Sequence, residues 1–271
     1  MSFHRPRRLE LEYQKVIEDL MRKWIKLPAA TNLDDIFAAL MGANTERISG
    51  IAERLATGMV TAVAGVNAQS WREAARKSTQ GRRIHDLLTK EMSGPVGVAF
   101  RSYVATQAKL IKSIPQDLAQ DVAGQIATRQ MRGERADIIA KDIRKRMPEI
   151  TRARVALIAR TQVASTATAI SQVRSEALNL PCYIWTTSHD GRVRPSHRNM
   201  SEVIVFWNDP PAPEALIGVK STLGSHHAGN CPNDRCDPSV IVDLDQVNWP
   251  CKVYRNGTIT RMSRAKFEKL L

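Results

Sequence analysis

Near residue 180 the sequence changes character, and this change constrains the fold more than any other feature. Before it, apolar side chains recur at spacings of three and four through Ala-rich stretches, which is the period of helices buried along one face. After it come short β-branched and aromatic runs, eight of the 13 prolines and all four cysteines. Helices followed by strands predict an α+β chain that is mainly helical. We expect a helical region over residues 1–148, a small α+β domain over 149–245, and a C-terminal β-hairpin with a short helix over 246–271.

The helical half divides by its apolar stripes and its breakers. Leu9, Tyr13, Val16, Ile17, Leu20 and Trp24 predict a first helix over residues 9–26, ended by Pro28. Thr31 or Asn32 caps a second helix running through Leu40. Residues 44–78 read as one long helix or two, with Ile48, Ile51, Leu55, Met59, Val63 and Val66 at helical spacing. Gly50, Gly58 and Gly65 recur within it. Each costs about 1 kcal/mol in a helix interior, so close helix approach is the expected reason, and self-association would suit the same spacing. Helices are expected at 82–92, at 97–113 after the Ser93-Gly94-Pro95 break, from Pro115 to about Arg132, and at 134–147 after Gly133. Pro148 is expected to separate the last of these from a long helix at 151–178. The apolar stripe of that helix (Val155, Ile158, Val163, Ala167, Ile170) should pack on the strands. The pair 116–132 and 134–147 reads as a plain helical hairpin in preference to a helix-turn-helix DNA reader.

Beyond Leu180-Pro181, strands are expected at Cys182–Thr187, Val203–Trp207 and Val240–Val242. Lys252–Tyr254 and Thr258–Thr260 flank Asn256-Gly257, a two-residue hairpin signal. Residues 263–271 should be helical.

Charge bears on partners. The 40 basic and 27 acidic side chains give a formal net charge of +13, which attracts polyanions such as nucleic acid. Residues 1–150 hold 25 basic and 17 acidic residues, and residues 151–271 hold 15 and 10. The excess is therefore spread along the chain, and Arg5, Arg7 and Arg8 form only a small basic start. No apolar run is long enough to span a bilayer, and no apolar core follows the basic start as a secretory leader requires. Phosphate-cradling Gly-rich loops, His-Glu-x-x-His, Gly-x-Ser-x-Gly and the zinc deaminase pattern are all missing from the sequence.

One region has the composition of a site. Residues 182–236 hold Trp185, His189, Asp190, Arg192, Arg194, His197, His226, His227, Cys231 and Cys236, with four of the six histidines of the chain. Cys231 and Cys236 form Cys-x4-Cys beside His226 and His227, close to zinc-knuckle spacing. Thiolate and imidazole suit zinc far better than magnesium or calcium. Asp190 and His197 are the best partners from the other segment. A reduced polar turn held by hydrogen bonds is the competing reading. Asp190 with Arg192 or Arg194 should form ion pairs that pin the loop after the first strand. A metal-dependent nuclease drawing on His189, Asp190, His197, His226, His227 and Asn230 is an alternative function, although no complete nuclease motif is present.

Three stretches carry a family resemblance. Arg152-Ala153-Arg154 through Ile158-Ala159-Arg160-Thr161-Gln162 resembles the helix signature R-A-x-x-I-A-R-T-E of Mu F-like minor head proteins, the head morphogenesis proteins of tailed bacteriophages. Trp185-Thr186-Thr187-Ser188-His189-Asp190-Gly191-Arg192-Val193-Arg194-Pro195-Ser196-His197 resembles their W-x-T-x-x-D-x-R-V-R-x-x-H core, and residues 230–236 with the following strand resemble their closing element. The likeness covers about residues 134–245. Gln162 stands where the family usually has an acidic residue, and Ser201-Glu202 replaces an Asn-Gly-type turn. Many relatives carry Cys-x-x-Cys where Arg194 and His197 lie, and their Cys-Arg-Cys is stretched here to Cys231…Arg235-Cys236.

The resemblance implies a non-enzymatic, low-copy virion component at the portal vertex or inside the head, made in the host cytoplasm. It would act in procapsid assembly or in DNA packaging and ejection. Its implied partners are the portal protein, the major capsid or scaffolding protein, and DNA bound without sequence preference. No membrane is implied. Cys231, Cys236 and His197 are the positions that carry over best for a zinc ion. Arg160, Trp185, Asp190, Arg192 and Arg194 carry over as structural motif residues, with Arg160 expected to be held by carbonyls or by Asp190.

Overall fold

The structure, a computed structural model, describes residues 7–27, 32–41 and 45–271. Arg5, Pro28, Thr31 and the side chain of Ile48 lie outside the described residues. The elements run α1 (Arg7–Trp24), α2 (Leu33–Met41), α3 (Thr45–Ala75), α4 (Gly81–Lys90), α5 (Pro95–Met131), α6 (Ala136–Ala177), β1 (Cys182–Thr187), α7 (Pro195–Asn199), β2 (Val203–Phe206), α8 (Pro213–Leu216), β3 (Cys236–Val240), β4 (Cys251–Arg255), β5 (Thr258–Met262) and α9 (Arg264–Glu268). The chain is α+β and mainly helical, as its patterning predicts. No described helix is long and apolar enough to cross a membrane.

Two compact units are distinguished. The first comprises Arg7–Met59 and Tyr103–Arg160. Tyr13, Ile17 and Met21 of α1, Ile36 and Leu40 of α2, Ile111, Ile114, Leu118 and Val122 of α5, and Ile139, Ile143 and Val155 of α6 are all buried here. Val16, expected on the buried stripe of α1, is exposed. Asn32 caps α2, its Oδ1 accepting the Asp35 amide at 2.7 Å. Arg154 reaches Asp117 at 2.9 Å.

Two expected helix breaks are absent. Pro115 lies inside α5 and Pro148 inside α6. A proline in a helix interior costs about 3 kcal/mol relative to alanine. Ile111, Ile114 and Leu118 around Pro115 are fully buried, as is nearly all of Ile143 and Met147 before Pro148. That burial offsets the lost hydrogen bond, since each such side chain contributes about 1.5–3 kcal/mol. The break at Gly133 is real. Gly133 has φ +78°, its amide reaches the Gln130 carbonyl and that of Glu134 the Arg129 carbonyl, the paired bonds of a Schellman cap. Two helices of 37 and 42 residues joined this way do not form a helix-turn-helix reader.

The second unit comprises Val60–Ser102 and Thr161–Leu271 in its described part. Its five-stranded sheet has the order β3-β1-β2-β4-β5, antiparallel except where β2 meets β4. Alternation along the strands separates two cores. On one face Tyr183, Trp185, Val203, Val205, Val240 and Tyr254 pack with Trp71, Ile84, Leu178 and Leu180. On the other, Cys182, Ile204, Phe206, Val253 and Met262 pack with Val247 and Phe267. Asn256 and Gly257 both have positive φ, +46° and +83°, as a type I′ hairpin turn requires.

The third strand lies upstream of the expected Val240–Val242. Register pairs Thr187 with Cys236 and Tyr183 with Val240, which places Pro238 in the ladder. An edge strand tolerates a residue with no amide hydrogen, and β3 is at the sheet's edge. The stripe expected on α6 also divides. Val155 is buried in the first unit, Val163 and Ile170 in the second, while Ile158 and Ala167 are half-buried. Gly58 and Gly65 mark no close approach, because a Cβ at either would meet nothing within 4 Å.

Arg174 of α6 is the largest charged side chain buried in this unit. Its guanidinium forms a fork with Glu91, Nε to Oε2 at 2.9 Å and Nη2 to Oε1 at 2.8 Å, and donates to Asn67 Oδ1 at 2.5 Å. Asn67 in turn donates to Ser171 Oγ at 2.8 Å.

Candidate metal centre

The cluster forms on the sheet face that carries Trp185. After β1 the chain passes through His189, in left-handed conformation at φ +55°, to a tight turn pinned by Asp190. Asp190 accepts from the Arg192 amide at 2.9 Å and pairs with the guanidinia of Arg192 at 2.9 Å and Arg235 at 3.2 Å. Arg192 holds its carboxyl below the usual carboxylate range, and Arg235 adds to the effect. The expected ion pair with Arg192 is therefore present. Arg194 turns elsewhere, donating to Cys231 Sγ at 3.0 Å and to the Pro232 carbonyl at 2.7 Å.

Pro195 opens α7, which carries His197 into the interior. The imidazole stands edge-on to Trp185, with ring centroids 5.5 Å apart at 88°. Its Nδ1 lies 3.1 Å from Asp234 Oδ1 and 3.3 Å from Cys236 Sγ. Its Nε2 lies 3.4 Å from His226 Nε2, 3.5 Å from Glu214 Oε1 and 3.8 Å from Cys231 Sγ. The three residues expected to hold metal thus all meet, but on opposite edges of one ring. Cys231 lies at Nε2 and Cys236 at Nδ1. His197, His226 and Cys231 form one convergent group, and His197, Asp234 and Cys236 another.

The chain around the cluster leaves little freedom. Asp234 accepts the amides of Gly229, Arg235 and Cys236 at 2.7–3.0 Å. Burial opposes its charge, yet the His197 and backbone hydrogen bonds hold its carboxyl below the ordinary range. Gly229 has φ +88°, and a Cβ there would lie 2.3 Å from Thr168 Oγ1. Thr168 itself donates to the Ala228 carbonyl at 2.7 Å. Burial, reinforced by Asp234 and opposed by Arg194, pushes the Cys231 thiol up to about 12. Burial together with Asp234 pushes Cys236 up further, and burial lowers His226.

Two residues that sequence reasoning missed or left unresolved complete the picture. His226 and His227 are adjacent, and only His226 faces the cluster. His227 instead meets Tyr183 Oη at 3.1 Å, and burial pushes it down to about 4. Glu214, not singled out from sequence, sits on α8 and accepts from Ser196 Oγ at 3.0 Å. Pro213 at the start of α8 was the only local signal. His189 is exposed, near Thr187. Arg160, expected to be held by carbonyls or by Asp190, lies in the first unit and pairs with Glu10 of α1 at 3.1 Å. Glu10 is 150 positions away in sequence, which no local pattern could reveal.

Residues 120–238 match the family model described as phage Mu protein F like protein. This segment belongs to that family. The Mu F-like segment contains β1, α7, β2, α8 and every residue of the cluster. A Haemophilus influenzae protein described as an uncharacterized protein is 30% identical over 142 residues, 52% of this chain. The match spans 29% of that relative's length. No solved structure matches the chain.

Proposed function

We propose that the chain is a minor head protein of a tailed phage, acting in head morphogenesis beside the portal and packaged DNA. The Mu F-like match over residues 120–238 carries this reading. The net charge of +13 supports it, since a protein enclosed with dense DNA meets phosphate on many sides, and such contact is independent of base sequence. On this reading the chain resides in the virion, its partners are the portal protein and the coat or scaffolding protein, and it performs no catalysis. Co-expression with the portal gene tests the reading. The two proteins should co-purify, and binding to unrelated DNA duplexes should weaken steeply between 50 and 200 mM salt, by about 10³-fold if roughly six phosphates are contacted. Binding to one sequence alone, with no portal association, would overturn it.

The nuclease alternative draws on the same cluster. His197, Cys231 and Asp234 are each no more than 2% exposed, which leaves a phosphodiester no approach to them. A plasmid-nicking assay with several divalent metals should give no cleavage attributable to His197.

A further inference from the structure

The Nε2 edge of His197 has the chemistry of a metal centre, and the argument for it does not depend on the head-protein reading. Each histidine has its other nitrogen engaged by an acceptor. His197 Nδ1 faces the Asp234 carboxylate at 3.1 Å, and His226 Nδ1 faces the Gly224 carbonyl at 3.1 Å. An acceptor at Nδ1 favours the tautomer that leaves Nε2 free to ligate a metal. The two Nε2 atoms face each other across 3.4 Å in a buried site, with the Cys231 thiol 3.8 Å from His197 Nε2. Such an arrangement needs either a shared proton or a cation among the donors, and the thiol and carboxylate beside it favour the cation.

The spacing also fits a particular cation. With zinc–nitrogen bonds of about 2.0–2.1 Å and zinc–sulfur bonds of about 2.3 Å, a tetrahedral centre sets nitrogens about 3.4 Å apart and nitrogen about 3.6 Å from sulfur. The observed separations are 3.4 and 3.8 Å. A fourth group is at hand. Glu214 Oε1 lies 3.5 Å from His197 Nε2, and Glu214 Oε2 is buried without a hydrogen-bond partner. Among the described residues, no lysine or arginine pairs with this carboxylate. A dication with one thiolate and one carboxylate is neutral overall, which removes the cost of burying either anion alone.

We propose that His197 Nε2, His226 Nε2 and Cys231 Sγ hold a structural zinc ion, with the Glu214 carboxylate in the fourth position and Cys236 outside the ligand set. Binding releases the Cys231 thiol proton to solvent, and no other bond is made or broken. Asp234 orients His197 from behind, and the Gly224 carbonyl does the same for His226, the usual outer partners of metal-bound imidazole. Four protein donors from α7, α8 and the 226–231 loop would close the site to substrate, as in structural zinc centres. Zinc would then join three segments that share no strand pairing with one another.

Elemental analysis of the full chain, purified from zinc-supplemented cells without chelator, tests the proposal. About one zinc per chain is expected. Cys231→Ser and His226→Gln should each reduce the bound metal at least tenfold, while Cys236→Ser retains it. Cobalt titrated into chelator-stripped protein supplies a readout that does not depend on yield. A sulfur-to-cobalt charge-transfer band should appear in the wild type and in Cys236→Ser, and vanish in Cys231→Ser. Either of two results would overturn the assignment. One is absence of stoichiometric metal and of the cobalt band in folded wild type, which would mean that the two histidines share a proton. The other is loss of the band in Cys236→Ser with its retention in His226→Gln.

Discussion

Replacing Arg174 with methionine removes the most deeply buried charge of the second unit while keeping most of its aliphatic stem. The guanidinium is fully buried and donates two hydrogen bonds to Glu91, one to Asn67 and two longer ones, at 3.4 and 3.5 Å, to the Ala64 carbonyl. Breaking a buried ion pair by removing one partner costs about 3–5 kcal/mol, because the other charge is left uncompensated. The Glu91 side chain is 15% exposed, so water can reach part of it, and the lower end of that range applies. The orphaned Asn67 oxygen adds about 1 kcal/mol. The expected total is about 4 kcal/mol, or a melting temperature lower by roughly 8–16 °C for a unit of this size. Urea denaturation of wild type and Arg174→Met measures it. Pairing the substitution with Glu91→Leu should recover more than half of the loss, because removing both charges leaves nothing buried and unpaired. A single-variant loss below about 1 kcal/mol, or a double variant less stable than Arg174→Met, would refute the reasoning.

Other outcomes follow from the same geometry. Gly229→Ala would place a methyl group 2.3 Å from Thr168 Oγ1 at a φ of +88°, so a destabilisation of about 2–4 kcal/mol is expected from combined strain and overpacking, measurable by urea titration. Glu202 holds φ +63°, a left-handed conformation that costs a residue with a Cβ. Glu202→Gly should therefore be neutral or stabilising by up to about 1 kcal/mol, and a clear loss in thermal melting would contradict this. Incubation with a strong chelator should lower the melting temperature of the wild type, and of Cys236→Ser, but not of Cys231→Ser.

Local signals in the sequence mapped well onto local structure. The Asn32 cap, the Gly133 stop and the Asn256-Gly257 hairpin each rest on one or two residues whose preferred conformation decides the outcome, and each is present. The errors arose where packing at a distance outweighed a local preference. Pro115 and Pro148 are helix breakers by any local rule, yet the buried apolar side chains around them keep α5 and α6 continuous. The strand expected at Val240–Val242 starts earlier, at Cys236, and runs through Pro238, which the edge position of β3 tolerates. The cluster was legible as a composition of histidine and cysteine and illegible as a geometry. Asp190, the expected partner, pairs with Arg192 and Arg235. Asp234, not singled out from sequence, stands at His197 instead. Choosing His226 over His227, or separating Cys231 from Cys236 across the His197 ring, requires the orientation of a loop that carries no periodic pattern. Glu214 had only the neighbouring Pro213 as a signal and Glu10 had none, since their partners are distant in sequence.

The claim that this chain builds phage heads is tested most directly by its presence in them. Particles can be assembled with and without the chain from a set of tailed-phage head genes, purified on density gradients, and analysed by quantitative mass spectrometry. The account predicts a few copies in each wild-type head, and aberrant or DNA-poor heads when the chain is deleted. Heads that lack the chain in the wild type and fill with DNA normally in the deletion would contradict it.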